Sequence, residues 1–150
     1  MIKIICIGTI KEKEMRLLIE EYLKRIQKYT KIEIIELSDY NYDVKETLKN
    51  EASLIMKHIS SKDYVITLEI EGKELDSIEF AEKIRQTQIT NSNISFIIGG
   101  SFGLDISIKE RSNFKLSFSK LTFPHQLFRL ILLEQIYRSF KIINNETYHK

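Results

Sequence analysis

The sequence predicts an α/β protein in which a mostly parallel sheet carries helices on both faces. Short runs rich in Ile and Val alternate with longer stretches of helical periodicity, and strands separated by helices pair in parallel through right-handed crossovers. The run ISFIIGG at 94–100 is almost wholly apolar, as expected for a strand covered on both sides. At 150 residues, the chain is expected to form a single domain over residues 1–150.

The first half of the chain predicts two strands, each followed by a helix. The opening run IKIICIG is a strand that ends at Gly8, and a helix follows over roughly residues 12–29. The apolar face expected for this helix consists of Leu18, Tyr22, Ile26 and Tyr29. A second strand, KIEIIEL, covers 31–37, and Asp43 then caps a second helix.

The alternation continues with a third and a fourth strand. YVITLEI at 64–70 is the third strand and is closed by Gly72. Asp76 and Glu79, three residues apart, are typical of a capping box that opens a helix to about Gln88. The apolar run ISFIIGG is the fourth strand, and a short helical connection follows it.

The only proline of the chain, Pro124, lies between the fifth strand and the longest helix. The connection runs past Asp105, FKLSFS at 114–119 is the fifth strand, and the final helix runs from Pro124 to about Ile143. Proline at the first helical position is preorganised and loses no hydrogen bond, so a helix start explains it. A second interpretation is that SFSKLTFPH forms a shaped loop that holds a ligand.

A ligand site is expected at the carboxyl ends of the strands, where parallel α/β sheets bind their ligands. The ends of strands three, four and five read LEIEGK (68–73), GGSFGL (99–104) and SKLTFP (119–124). Three of the five glycines fall in GGSFG, and glycine lets a backbone approach a ligand closely. The run is neither G-x-G-x-x-G nor a P-loop, which argues against dinucleotide and NTP binding. An ordinary strand-to-helix turn remains the alternative.

The final helix is apolar on more than one side. One stripe consists of Leu130, Leu133, Ile136, Tyr137 and Phe140. The opposite sector of its first half adds Leu127, Phe128, Ile131 and Leu132. A helix apolar on several sides is buried on several sides, either as a deep core helix or at a subunit interface. The interface is favoured, because a small α/β sheet has few ways to enclose its outer helix.

Composition excludes several classes of protein. A net charge of +2 does not by itself indicate nucleic-acid binding. The single cysteine, Cys6, lies in an apolar run and is expected to be a core residue in a reduced, cytoplasmic protein. The three histidines, His58, His125 and His149, share no ligand spacing, so no metal site is expected. Neither a signal peptide nor a membrane-spanning run is visible.

Several motifs together resemble one family closely. They are VITLEIEGK, FIIGGSFGL, RSNFKLSFSKLTFPHQLFRLILLEQIYRSFKI and the closing YHK. The resemblance runs from Met1 to Lys150 and is to the ribosomal large subunit methyltransferase H family, within the SPOUT class of RNA methyltransferases. It implies a SPOUT-type fold with a C-terminal trefoil knot, which general rules of chain topology argue against. It also implies a homodimer and S-adenosyl-L-methionine bound in the knot.

The resemblance further implies which residues form the site. The cofactor-binding residues carry over to Leu68, Gly99, Phe118, Ser119, Lys120, Leu121, Thr122 and Phe123, all at the three strand ends above. Pro124 is then expected to end the cofactor loop and start the final helix in one step.

The substrate implied is a pseudouridine of 23S rRNA, methylated at N3, an imide nitrogen that must lose a proton. The candidate catalytic residues are Arg138, Tyr148, His149 and Lys150. Recognition is expected to depend on a dimer-wide surface and the assembled ribosome, because the monomer offers weak phosphate attraction. The alternatives are a catalytically silent ribosome-binding module of the same fold and, third, a small-ligand enzyme unrelated to RNA.

Overall fold

Five parallel strands form one sheet, in the order β2-β1-β4-β3-β5, in the computed structural model, which describes residues 1–150. The strands are β1 (Ile2–Ile7), β2 (Ile32–Leu37), β3 (Tyr64–Glu74), β4 (Ile94–Ile98) and β5 (Phe114–Ser117). The helices are α1 (Lys13–Ile26), α2 (Val44–Lys57), α3 (Ser77–Thr90), α4 (Ile106–Arg111) and α5 (His125–Ile143). The predicted α/β class with a parallel sheet is confirmed.

Both faces of the sheet are covered, and the alternation of side chains along β1 shows how. Ile2, Ile4 and Cys6 pack into the larger core, beneath α1, α3 and α5. Ile5 and Ile7 face the other way, into a smaller core beneath α2 and α4. Successive strand residues point to opposite faces, so a strand covered on both sides must be apolar throughout. No helix is both long enough and apolar enough to cross a membrane.

The helix starts follow the predicted capping residues. The Asp43 carboxylate accepts a hydrogen bond from the Glu46 amide at 3.0 Å. At the start of α3, Asp76 and Glu79 accept from each other's backbone amides, each at 2.8 Å, which is the predicted capping box. Side-chain caps of this kind satisfy amides that the first helical turn leaves free. The prediction that Pro124 is the first helical residue was wrong: its extended ψ makes it the N-cap, and α5 begins at His125 without a side-chain cap.

Strand β3 is longer than predicted and contains an irregularity that shapes the site. Both Leu68 and Lys73 pair with Leu116 of β5, so the residues between them bulge out of the ladder. Gly72 permits this, because a Cβ there would lie 2.8 Å from backbone carbons of Lys115 and Leu116. Bulges of this kind re-aim the side chains that they carry.

Helix α5 is enclosed more completely than the sequence suggested. It lies between α1 and α3 on one face of the sheet. Leu132, assigned above to the sector facing a partner, is fully buried in the chain's own core. The sheet and two flanking helices together enclose three sides of α5, which accounts for its extra apolar surface. Leu127 remains 40% exposed.

One residue of the inward face predicted for α1 was also wrong, whereas Tyr22, Ile26 and Tyr29 do pack on the core. Leu18 of α1 is half exposed, and its neighbour Ile19 is buried instead. The face that packs on the core runs through Met15, Ile19, Tyr22 and Ile26, which keeps helical spacing. The trefoil knot stays a prediction.

Candidate active site

A cavity of about 440 Å³ lies at the carboxyl ends of β3, β4 and β5, the edge at which a ligand site was expected. Its walls come from residues 68–71, the turn 98–104 and the loop after β5. Among its lining residues are Leu68, Gly99, Phe118, Ser119, Leu121, Thr122 and Phe123. Lys120, the remaining residue assigned to the cofactor above, does not line the cavity and is exposed.

The GGSFG turn is shaped by its own backbone. A Cβ on Gly99 would lie 2.5 Å from the carbonyl oxygen of Gly103, closer than real Cβ atoms come. Gly103 has φ +78°, a conformation that L side chains rarely adopt, and its amide donates to the Gly100 carbonyl at 3.1 Å. Two glycines are therefore needed for the turn itself, before any ligand is considered.

The loop after β5 is held by aromatic packing and local hydrogen bonds. The Phe118 ring lies 5.0 Å from that of Phe128 on α5, measured between centroids, and Phe123 stacks on Phe128 at 5.8 Å. The Ser119 hydroxyl accepts from the Leu121 amide at 3.0 Å, and the Ser117 hydroxyl donates to the Ser119 carbonyl at the same distance. The loop is thereby fixed on the first turns of α5.

The β3 bulge contributes a buried carboxylate to the cavity wall. The Glu69 side chain is 4% exposed, and its Oε2 accepts from the Thr67 hydroxyl at 2.6 Å. Its Oε1 has no hydrogen-bond partner, and the nearest ammonium, that of Lys109, is 3.5 Å away. Lys109 also bonds to Glu71 at 3.0 Å, and this bond raises the pKa of Lys109. The pKa of Glu71 is lowered, first by its own backbone amide and then by Lys109. Glu69 Oε1 is thus ion-paired with Lys109 but accepts no hydrogen bond, which leaves capacity for one at this wall.

The candidate catalytic residues gather at the other end of α5. Arg138 Nη1 lies 3.2 Å from His149 Nδ1, and the Arg138 guanidinium lies over the Tyr148 ring at 4.8 Å. Burial, together with a hydrogen bond to Glu134, raises the pKa of Tyr148 to about 12. Lys150 is exposed at the terminus and does not join the contacts of this cluster.

Glu134 is one residue of the site that the sequence analysis missed. Its Oε1 accepts from Arg138 at 2.6 Å and from the Tyr148 hydroxyl at 3.1 Å, so it holds the helix and the tail together. The i, i+4 spacing of Glu134 and Arg138 on one helix was the available signal.

Within one chain, the candidate catalytic residues lie far from the residues that line the cavity. Arg138 is thirteen residues after His125, which lines the cavity, and at 1.5 Å per residue they lie about 20 Å apart along α5.

The predictions about Cys6 and about metal binding can also be compared with the structure. Cys6 is fully buried, and burial raises the pKa of its thiol to about 12, so the prediction of a core residue is confirmed. Nowhere does the structure place three or more His, Cys, Asp or Glu side chains so that they could hold a metal ion.

Comparison with known proteins identifies the class to which this fold and cavity belong. Residues 1–149 match the family model described as a predicted SPOUT methyltransferase, and the chain therefore belongs to the SPOUT methyltransferase family. A protein of Methanococcus vannielii named putative ribosomal RNA large subunit methyltransferase H is 55% identical, over 99% of each chain. A Clostridium botulinum (Loch Maree) protein named ribosomal RNA large subunit methyltransferase H is 49% identical, again over 99% of each. The family suggested by the sequence motifs is confirmed.

Proposed function

We propose that the protein transfers the methyl group of S-adenosylmethionine to N3 of a pseudouridine in the 23S rRNA of the large ribosomal subunit. The observation that carries the proposal is the cavity at the ends of β3, β4 and β5, walled by the residues that the motifs assign to the cofactor. The names of relatives that share about half of this sequence support the RNA substrate. In this proposal the protein works in the cytoplasm, where ribosomes are.

The cavity suits the proposed cofactor in size and in chemistry. About 440 Å³ lies within the range of roughly 300–1,000 Å³ typical of small-molecule sites. Leu68, Phe118 and Phe123 offer apolar surface to a planar base, and the backbone of the turn and loop offers hydrogen bonds. Glu69 Oε1, which accepts no hydrogen bond from the chain, suits a hydroxyl or ammonium donor of the ligand.

The chain's own contribution is to position the reactants and to stabilise the charge that develops on the base. The cofactor, when bound, supplies a methyl group already activated by a positively charged sulfur. The rigid loop on α5 and the tight glycine turn fix where the ligand lies, and positioning can supply about 7–11 kcal/mol of the barrier. N3 of the base must lose a proton, and a nearby cation stabilises the charge that develops. Arg138, with the tail that it holds, is the cation proposed for this role.

The separation of Arg138 from the cavity favours a homodimer with composite sites. Leu121 is 71% exposed and Leu127 is 40% exposed, both near the start of α5. Full burial of such side chains by a partner is worth about 1.5–3 kcal/mol each. In the proposed dimer the Arg138 cluster of one subunit approaches the cofactor cavity of the other. A surface that spans both subunits also offers RNA a larger contact area. This compensates for the weak attraction between phosphates and a single chain with a net charge of +2.

Isothermal titration calorimetry with S-adenosylmethionine tests the cofactor site. We expect micromolar affinity, about −8 kcal/mol. Thr122→Trp should abolish binding, because Thr122 lines the cavity and an indole would fill it, whereas the matched Thr122→Ser should bind normally. Absence of heat with the wild-type protein, or normal binding by a folded Thr122→Trp variant, would contradict the site. Ribosome binding without methyl transfer would favour the silent module.

A further inference from the structure

A second cavity, of about 750 Å³, adjoins the cofactor cavity on the other side of the glycine turn. The end of β1, the segment 39–41, α2 and the start of α5 form its walls. Both cavities share the residues Gly100, Ser101, Phe102 and His125. A ligand in the second cavity would therefore lie directly beside a ligand in the first.

Glu51 of α2 gives this cavity a buried carboxylate. Glu51 is 4% exposed and lines the cavity. A Cβ on Gly100 would lie 3.1 and 3.2 Å from its two carboxylate oxygens, so the carboxylate rests against the glycine turn. Burial raises the pKa of Glu51, and the charge of the nearby Asp39 carboxylate raises it further, to a smaller extent. The backbone amide of Tyr40 offsets part of that effect.

No Lys or Arg side chain forms an ion pair with Glu51, although Lys11 and Arg129 line the same cavity and Arg129 is bonded to Glu36 and to the Gly8 carbonyl. Burying a carboxylate without a cation costs free energy, and the usual remedies are a paired charge, a metal ion or full hydrogen bonding. Lys3, by contrast, pairs directly with the buried Asp63 at the opposite end of the sheet. A donor on a ligand would supply what the Glu51 carboxylate lacks.

The start of α5 gives the same cavity hydrogen-bond donors. No side chain caps the helix, and the amides of residues 125–127 have no carbonyl within the helix to bind. His125, Gln126 and Leu127 line the cavity, at the partially positive end of a 19-residue helix. Beneath them Arg129 is 1% exposed, bonded to Glu36 and to the Gly8 carbonyl at 3.1 Å each, with its Nε unpartnered.

We propose that this second cavity binds the target nucleobase and that its chemistry selects an imide, with Glu51 accepting the hydrogen bond from the imide N–H. The imide edge of a uracil-type base presents acceptor, donor and acceptor in sequence. The α5 amides match a carbonyl of that edge, and the Glu51 carboxylate matches its N–H. The amidine edge of cytosine has no N–H at the ring nitrogen and would place a lone pair against the carboxylate. The inference rests on the proposed function and names the part of the site that reads the base.

Glu51 can also accept the imide proton during methyl transfer. As N3 forms its bond to the methyl carbon, its proton passes to Glu51, which becomes a neutral carboxylic acid. The electron pair of the broken carbon–sulfur bond stays on sulfur, so charge and atoms balance. Glu51 then returns the proton to water. General-base help of this kind contributes about 10² to 10⁴-fold in rate.

Glu51→Gln tests the inference, because the amide keeps the shape of the side chain and removes its capacity to take a proton. We expect single-turnover methylation of ribosomes to fall at least about 10²-fold, with S-adenosylmethionine affinity and ribosome binding within twofold of the wild type. The matched control is Glu46→Gln, an exposed glutamate on the same helix outside the cavity. It should methylate at the wild-type rate.

A second variant tests the cavity while leaving Glu51 unchanged, so that a purely structural role of Glu51 cannot explain the result. Gln126→Trp fills the second cavity from α5 and does not line the first, so it should block methylation and leave cofactor binding intact. Wild-type rates in both folded variants would overturn the inference. A loss of cofactor affinity in Glu51→Gln would assign Glu51 to the first cavity, and a loss of self-association would assign the second cavity to a partner copy. Either result overturns it, whereas a wild-type protein that methylates no pseudouridine would overturn the proposed function itself.

Discussion

The guanidinium of Arg138 lies 2.6 Å from a carboxylate oxygen of Glu134, one turn earlier on α5. The same oxygen accepts a hydrogen bond from the Tyr148 hydroxyl at 3.1 Å, and the edge of the Tyr148 ring packs on Tyr137 at 4.9 Å. The Glu134 carboxylate thus bonds to both Arg138 and Tyr148, and the ring contact with Tyr137 adds a second attachment of the tail to α5. Where Arg138 and the tail point depends on Glu134.

Removing the Glu134 charge should change the titration of Tyr148. The pKa of Tyr148 is raised to about 12, first by burial and then by the bond to Glu134. In Glu134→Gln it should fall below that value yet stay above the ordinary value of about 10, since burial remains. Titration of ¹³C-labelled tyrosine by NMR measures this. Glu146→Gln, next to Tyr29 rather than Tyr148, is the control and should leave Tyr148 unchanged. An unchanged Tyr148 in Glu134→Gln would contradict the assigned contact.

Deleting residues 148–150 should separate folding from catalysis. The deletion removes the hydrogen bond to Glu134, the contacts of Arg138 with His149 and the Tyr148 ring, and the ring contact with Tyr137, so we expect a stability loss of about 1–2 kcal/mol. Cofactor binding should persist because the cavity lies at the other end of α5. Methylation of ribosomes should collapse. A truncated protein that methylates at the normal rate would contradict a catalytic role for the tail and show that it is only a solvent-exposed chain end.

Composite sites should allow two inactive variants to complement each other. Thr122→Trp blocks the cofactor cavity, and Arg138→Ala removes the proposed cation from the other end of α5. After subunit exchange, one site of each heterodimer carries both lesions and the other carries neither, so partial activity should return. A monomer by light scattering at micromolar concentration would contradict the dimer. A mixture that stays inactive despite confirmed exchange would contradict the shared site only.

Glu51 should lower stability at neutral pH. Its pKa is raised in the folded state, so the folded protein binds the proton more tightly than the unfolded chain does. Its unfavourable contribution is absent at low pH and grows as the pH rises above the unfolded glutamate value of about 4.3. Urea unfolding should therefore show Glu51→Gln gaining stability relative to the wild type as the pH rises from the unfolded glutamate value through the raised pKa of Glu51, with no further change above it. A difference between the two proteins that does not change with pH would contradict the assigned environment of Glu51.

Local chemistry accounts for the features that could be predicted from the sequence. The capping residues Asp43 and Asp76 act within one turn, and the strands are visible because a strand covered on both faces must be apolar. The edge that holds the cavity followed from the parallel order of the strands. These features need no knowledge of distant contacts.

Features that depend on distant contacts could not be predicted. The bulge that brings Glu69 to the cavity arises from the register between β3 and β5. Leu132 was assigned to a partner because the sequence does not reveal that α1 and α3 flank α5. Gly99 was interpreted as making room for a ligand, whereas its closest neighbour is the Gly103 carbonyl. No sequence motif contains Glu51, and only the fold places it against Gly100.

The central claim, methyl transfer to N3 of a 23S rRNA pseudouridine, is tested most directly by mass spectrometry of that RNA. Ribosomes from a strain that lacks the gene are incubated with the purified protein and S-adenosylmethionine carrying a ¹³C-methyl group. Nuclease fragments of the 23S rRNA are then sequenced by tandem mass spectrometry. The account predicts one labelled methyl group on the base of a single pseudouridine, at N3. Label on any other nucleotide, or no label in the presence of bound cofactor, would contradict it.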